Sequence, residues 1–551
     1  MFTMLGSVRV LVVDNDPTAR MVTQSLLLNW GYEPVVAMGA GNKLIADAKE
    51  KARIKCCVLA LIDMRLYDDD DKNDDSGLKL ADELEKKVHC VILSGHKDEQ
   101  VLLRVIQEQK NINFLLKKTP TDILMEAVEV EAKKISAIKR NLQFDNFFFL
   151  DEISRTALWN LIKEYPDQAV DVIAKLFPLA KTLRVEKMHP LSSQMTFTSA
   201  PRPTSIIFYV YEDQRYDPYI IKIARTEKIQ EEYDRYNKYI VGKVTERFTS
   251  RLVKAESLWE IGSAAYAYPG DDNVVSFSEF FEEKTVEEIE GCLRFFFMNV
   301  WSRHYMHAYN YENVSLYKIY KQVWGDWFTK CIKAFPVSKP LDISFATGDL
   351  QTPEPIQWLQ SKVVESPNDI SIFSKIRMAV THGDLHGDNL LVDSKQNPLV
   401  IDYERCGEGH ALQDFIELEA DIISRLGGHT QSPFEYIKMF IFILKHKALG
   451  TFDDLVEFET TDTKRIKKTL QVISALRSLA LTCVDIRDAR EYVFGLLFNI
   501  LFRATISHYK FQDKGQHQAL VLASIACHRL DHWDEPWPPV EWDTHLQVGE
   551  I

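Results

Sequence analysis

Residues 381–391 read THGDLHGDNLL, with Asp384 and Asn389 five positions apart. The following LLVDSKQNPLVIDYE (390–404) reads as two short strands joined by a polar, proline-containing turn, and it delivers Asp402. A hairpin there returns Asp402 to the side of Asn389. Phosphoryl transfer from ATP asks for few protein groups. A carboxylate orients the attacking hydroxyl, an amide and a second carboxylate hold Mg2+, and a lysine grips the phosphates. Asp384, Asn389 and Asp402 have the right types and spacing for the first three. His382 is expected to brace the loop.

A second set of polar residues lies in the first 120 positions. Continuous apolar runs at 8–14, 33–37, 57–63, 90–94 and 114–118 predict strands buried on both faces. Helical patterns at 17–30 and 77–87 lie between them. The expectation is a doubly wound parallel sheet of five βα units, with ligands at the carboxyl ends of its strands. Asp14 and Asp16 end the first strand, Asp63 the third, Ser94 the fourth and Lys117 the fifth. Three carboxylates at one edge repel each other unless a divalent cation such as Mg2+ neutralises them. The hydroxyl and the ammonium would complete the contacts to a phosphorylated aspartate.

On these positions, residues 1–140 resemble a receiver domain of a two-component response regulator. The resemblance implies that a sensor histidine kinase phosphorylates Asp63, that Asp14, Asp16 and Asp63 hold Mg2+, and that Ser94, Phe114 and Lys117 form the switch. MRLYDDDDKNDDSG (64–77) stands where the family has a short loop with a proline. Lys118 replaces the usual proline after Lys117, so either lysine fits; the spacing to Phe114 favours Lys117.

The HGD form at 382–384 and the Asp-Tyr-Glu at 402–404 resemble the aminoglycoside phosphotransferase and choline kinase branch of the protein kinase-like fold. The resemblance implies Asp384 as catalytic base, Asn389 and Asp402 as metal ligands, and Asp414 as a structural aspartate. SIIFYVYE (205–212) and PYIIKIAR (218–225) read as a hairpin carrying Lys222, and KIQEEYDRYNKYI (228–240) as the helix after it. Lys222 would meet nucleotide phosphate, with Glu232 as its acidic partner and Glu231 as the second choice. AAYAYPGDD (264–272) resembles a hinge that holds adenine. The expected nucleotide loop, LSSQMTFTSAPRPTS (191–205), has no glycine, so the hydroxyls of Ser192, Ser193, Thr196, Thr198 and Ser199 would replace close backbone contacts.

The elements that must position these groups sort into a receiver at 1–125, a helical connector at 126–180, a kinase-like amino lobe at 181–270 and a mostly helical carboxyl lobe at 271–551. The fold class expected is an α/β receiver followed by a two-lobed α+β module. Net charge is −14, which argues against a nucleic-acid surface. Eight cysteines without a CxxC pair, and no signal peptide, point to reduced thiols in a cytoplasmic protein. VFGLLFNILF (493–502) is too short to span a membrane and predicts a buried helix. The function expected is a response regulator controlling an ATP- and Mg2+-dependent phosphotransferase. The alternative is a phosphorylation-switched adaptor with a weak or pseudokinase output. The partners expected are the histidine kinase and an unidentified acceptor or protein, with a second copy of the chain admissible.

Overall fold

The computed structural model describes residues 2–6, 8–68, 70–71, 73–84, 87–95, 112–134, 140–145, 166–187, 205–213, 215–268, 274–335, 343–345, 348–350, 352–365, 373–427, 433–460, 464–505, 513–540 and 542. The chain divides into two compact units. One comprises Met1–Met188, Arg202–Gln230 and Leu252–Tyr268; the other comprises His189–Pro201, Glu231–Arg251 and Pro269–Ile551.

The first unit holds two sheets. Strands β2 (Arg9–Val13), β3 (Glu33–Val36), β4 (Leu59–Asp63), β5 (His89–Ser94) and β6 (Ile112–Leu116) pair in parallel in the order β3-β2-β4-β5-β6. Helices α1 (Pro17–Asn29), α2 (Asn42–Ile54), α3 (Ser76–Leu84) and α4 (Thr121–Lys134) accompany it. Alternation along the strands feeds two cores. Val10, Val12, Leu59 and Leu61 pack with Leu27 and Val128, while Leu11, Val13, Ala60 and Ile62 pack with Leu44, Leu78 and Ala81. Both faces are covered, which is why the strands read as unbroken apolar runs.

The second sheet has seven strands in the order β1-β7-β8-β9-β10-β12-β11. They are β1 (Phe2–Gly6), β7 (Arg140–Asp145), β8 (Thr182–Lys187), β9 (Ser205–Glu212), β10 (Tyr219–Arg225), β11 (Leu252–Leu258) and β12 (Ile261–Ala267). Helix α5 (Pro166–Leu176) covers it, burying Val172, Ile173 and Leu176 with Leu183, Val185, Phe208 and Ile221. The expected helical connector is corrected here. Residues 140–145 do not extend α4; they form β7, paired on one side with β1 and on the other with β8. Pairing partners distant in sequence decide such a strand, and local periodicity does not report them.

In the second unit, β13 (Val275–Ser276), β18 (Leu390–Val392) and β19 (Pro398–Val400) form one small sheet. Strands β14 (Tyr309–Ser315), β17 (Phe373–Thr381) and β20 (Gly407–His410) form another, and β15 (Ile343–Phe345) pairs with β16 (Gly348–Leu350). The region 273–380, read as predominantly helical, therefore contains strands as well. Helix α6 (Thr226–Arg235) starts two residues earlier than expected and passes into a π-helical turn at Tyr236–Ile240. Beyond 410 the architecture is mostly helical, including α7 (Gln413–Asp421), α8 (Arg465–Val484) and α9 (Arg490–Ala504). Helix α9 carries the 493–502 run, and its residues from Tyr492 to Ala504 are buried. Among the described residues no helix is long and apolar enough to cross a membrane. All eight cysteines are free thiols.

Candidate functional site

Asp14 directly follows β2, Asp63 closes β4, Ser94 closes β5 and Lys117 directly follows β6. Parallel pairing gathers all four at one edge of the sheet. Asp14, Asp63 and Ser94 are buried. Lys117 Nζ lies 3.1 Å from Asp14 Oδ2 and 3.0 Å from Asp63 Oδ1. Burial pulls the Lys117 ammonium down, but Asp63 and Asp14 outweigh it and the net shift is upward. Phe114 lies on β6 against the core. Lys117, rather than Lys118, is the lysine placed against both acids.

Asp16 is turned to other work. Its carboxylate accepts from Thr18 N–H at 2.8 Å and caps α1, while its own N–H donates to Asp14 Oδ1 at 2.8 Å. Among the described residues, no three His, Cys, Asp or Glu side chains are grouped to hold a metal ion. The oxygen set that fits a hard divalent cation at this edge is Asp14 and Asp63, with Asp16 adjoining. Sequence reasoning missed Arg20, whose buried guanidinium donates to the Asp14 carbonyl at 2.6 Å.

The second site is the loop from Thr381 to Asn389. Strand β17 delivers it, and the β18–β19 hairpin follows. Ile401 N–H donates to the Asn389 carbonyl at 3.1 Å, so the hairpin brings Asp402 back beside Asn389 as the spacing predicted. Asn389 Nδ2 donates to the Asp384 carbonyl at 2.9 Å, which commits the amide nitrogen and leaves its oxygen as the acceptor. Asp402 adopts φ +66°, a left-handed conformation that is strained for a non-glycine residue. Gly383 has φ +77°, and a Cβ there would stand 2.4 Å from the Arg405 carbonyl oxygen. Only glycine fits that turn.

Helix α7 fixes the loop backbone. Asp414 accepts from His382 N–H at 2.9 Å and Gly383 N–H at 3.0 Å. Glu417 accepts from Leu385 N–H at 2.9 Å, and Asp421 from Gly387 N–H at 2.8 Å. Steps of three and four residues put all three acids on one helix face. Asp421 also binds Arg425 at 2.7 Å and Arg503 at 3.1 Å. Burial pushes its carboxyl up, but the two guanidiniums prevail and hold it well below the usual range. Glu417 lacks such a partner pair. Burial, then the neighbouring Asp384 and Asp414 charges, push it up to about 8. His382 is fully buried, and burial lowers its pKa; its Nε2 pairs with the Ile401 carbonyl at 3.0 Å, a bracing contact.

Asp384 differs from these acids. Its side chain is 30% exposed and meets Arg405 Nη1 at 3.0 Å. Lys222 is buried in the middle of β10, between β9 and β12, and Glu232 is buried on α6. Residues 191–204 of the expected nucleotide loop and 269–272 of the expected hinge lie outside the described residues. Glu417, Asp421, Arg405, Arg425 and Arg503 were missed. Three acids at helical spacing in QDFIELEAD (413–421) were the one local signal, and it pointed only to Glu417 and Asp421.

A family model described as TCAD9, ternary complex associated domain 9, matches residues 340–499, a range that contains the loop, Asp402 and α7. No curated protein matches the chain. The first domain is similar to a CheY-like response regulator receiver domain from Methanospirillum hungatei JF-1, at 19% identity over 23% of this chain and 95% of that one, TM-score 0.20. It is also similar to a response regulator from Thermotoga maritima, at 17% identity over 23% of this chain and 98% of that one, TM-score 0.20. A third similar structure is the signal receiver domain of a Luxo repressor protein from Vibrio parahaemolyticus, at 18% identity over 23% and 92%, TM-score 0.20.

Proposed function

We propose that the chain is a response regulator whose phosphorylation at Asp63 controls a phosphotransferase-like output. A histidine kinase serves as phosphodonor. Lys117 stands ready to bind the acyl phosphate, and Ser94 and Phe114 report it. Mg2+, when bound, supplies positive charge to phosphoryl oxygens; Asp14, Asp63 and the adjoining Asp16 would hold it in the first domain, Asn389 and Asp402 in the output. In the output, Asp384 orients an acceptor hydroxyl and takes its proton. Lys222 is assigned to the phosphates of ATP, and Glu232 to charge balance on the nucleotide side.

One observation carries the output reading. The three α7 acids that shape the 381–389 loop, Asp414, Glu417 and Asp421, are buried and accept from backbone amides, whereas the Asp384 carboxylate is 30% exposed and, among the described residues, accepts from no loop amide but meets Arg405. A carboxylate left open on a rigid loop suits a group that meets a substrate. The Arg405 contact favours a second reading, an adaptor in which a guanidinium neutralises Asp384.

Titration with Mg·ATP separates the two. Saturable binding, with phosphotransfer that falls about 10²–10⁴-fold in Asp384→Asn, is expected for the enzyme. Binding without transfer would leave the adaptor. For the input, Asp63→Ala is expected to abolish acyl-phosphate formation from a small-molecule phosphodonor, measured by phosphate-affinity electrophoresis. An acyl phosphate that persists in that variant would remove Asp63 as the acceptor.

A further inference from the structure

The two sheets of the first unit meet at the β11–β12 turn. Trp259 occupies its tip in a left-handed conformation, φ +54°. Its ring packs against the cores of both sheets, and its Nε1 donates to the Cys57 carbonyl at 3.3 Å. Lys87 Nζ lies 5.2 Å from the ring centroid and 3.5 Å from the Trp259 carbonyl. Cys57 stands two residues before β4 and Lys87 two residues before β5. These are the strands whose far ends carry Asp63 and Ser94.

A fully buried glutamine joins the same turn to the five-stranded domain. Gln168 Nε2 donates to the Arg53 carbonyl at 2.9 Å, and Gln168 Oε1 accepts from Glu260 N–H at 3.0 Å. Arg9 adds an ion pair with Asp171 on the same helix, α5, at 2.7 Å.

On its other side the turn holds the start of α6. Thr226 N–H donates to the Glu260 carbonyl at 3.1 Å, and Thr226 Oγ1 donates to the Trp259 carbonyl at 2.8 Å. Gly262 lets the helix sit directly on β12, since a Cβ there would stand 2.8 Å from Ile229 Cβ. A continuous path of hydrogen bonds thus runs from Arg53 through Gln168 and Glu260 to the first residue of the helix that bears Glu232.

We propose that the Trp259–Glu260 turn is a coupling joint through which the five-stranded domain sets the position and order of α6. The joint has no lever of its own. It transmits because the path from Arg53 through Gln168 and Glu260 to Thr226 uses only backbone groups and the fully buried Gln168 side chain, so a shift of the segment that leads into β4 is passed on rather than taken up by a mobile side chain. Its use as a signalling route rests on the reading of Asp63 as the phosphorylation site. The coupling itself stands on the contacts.

Hydrogen exchange of the full-length protein, read by mass spectrometry on peptides covering 226–235, tests it. Gln168→Leu strands the Glu260 N–H, and Thr226→Val removes the hydroxyl contact. Each is expected to speed α6 exchange about tenfold or more, with Thr226→Ser close to wild type. Beryllofluoride with Mg2+ is expected to alter α6 exchange in wild type, and in Gln168→Leu to alter exchange near Ser94 while α6 no longer responds. Unchanged α6 exchange in both Gln168→Leu and Thr226→Val would overturn the joint, as would an equal beryllofluoride response in wild type and Gln168→Leu. If beryllofluoride produces no change near Asp63 and Ser94 in wild type, the phosphorylation reading fails, and the unliganded variants still decide the joint.

Discussion

Asp421→Ala is expected to destabilise the second unit by about 3–5 kcal/mol, the usual cost of leaving a buried charge without its counter-ion. Asp421 is fully buried and binds two guanidiniums, and one of these, Arg503, is itself buried. Removing the carboxylate also strands the Gly387 N–H, which donates to it at 2.8 Å. Arg425 reaches on to Asp388 at 3.0 Å, so the loss spreads to the second aspartate of HGDLHGDN (382–389). Urea unfolding gives the stability change, and hydrogen exchange at 381–391 gives its location. Asp421→Asn keeps hydrogen-bonding atoms without the charge and is expected to fall between the two. A denaturation midpoint unmoved by Asp421→Ala would mean that the ion cluster does not hold the loop.

Glu417→Gln is expected to flatten the pH dependence of stability on the alkaline side. The Glu417 carboxyl is raised from 4.5 to about 8, by burial first and then by Asp384 and Asp414; the Gln413 amide and Arg503 oppose the shift. In the window between those values the folded protein keeps a proton that the unfolded chain has released. The stabilisation is therefore complete below 4.5 and is lost as pH rises towards 8. At about 1.4 kcal/mol per pKa unit, the loss across the window is on the order of a few kcal/mol. Glutamine has no such proton to lose. The variant is expected to exceed wild type in stability near pH 9, with the advantage vanishing near pH 5, as measured by denaturation midpoints at the two extremes. Parallel pH profiles for the two proteins would show that Glu417 is ionised in the folded state.

The parts legible in the sequence share one property: their determinants are local. The five parallel strands could be read because Leu59–Asp63 and its neighbours are apolar on both faces. The sheet edge with Asp14, Asp63, Ser94 and Lys117 followed from strand ends alone. The β18–β19 hairpin could be read from a polar turn between two apolar triplets. What escaped depends on distant partners. RNLQFD (140–145) contains nothing that excludes a helix, and it is a strand because β1 and β8 flank it. Glu417 and Asp421 look like surface acids until the loop some thirty residues earlier is laid against them. Gln168 and Trp259 carried no signal, because their meaning lies in two sheets meeting.

The pairing of β1 with β7 sets Phe2 opposite Phe144 and Gly6 opposite Arg140. Everything from Arg9 to Lys134 therefore hangs between two neighbouring strands of the other sheet. The five-stranded domain is an insertion within that sheet, with entry and exit pinned side by side, and not a bead on a string. Replacing it with another input domain means matching two adjacent junctions at once. A graft spliced only at its downstream end would lose β1 from the edge of the seven-stranded sheet.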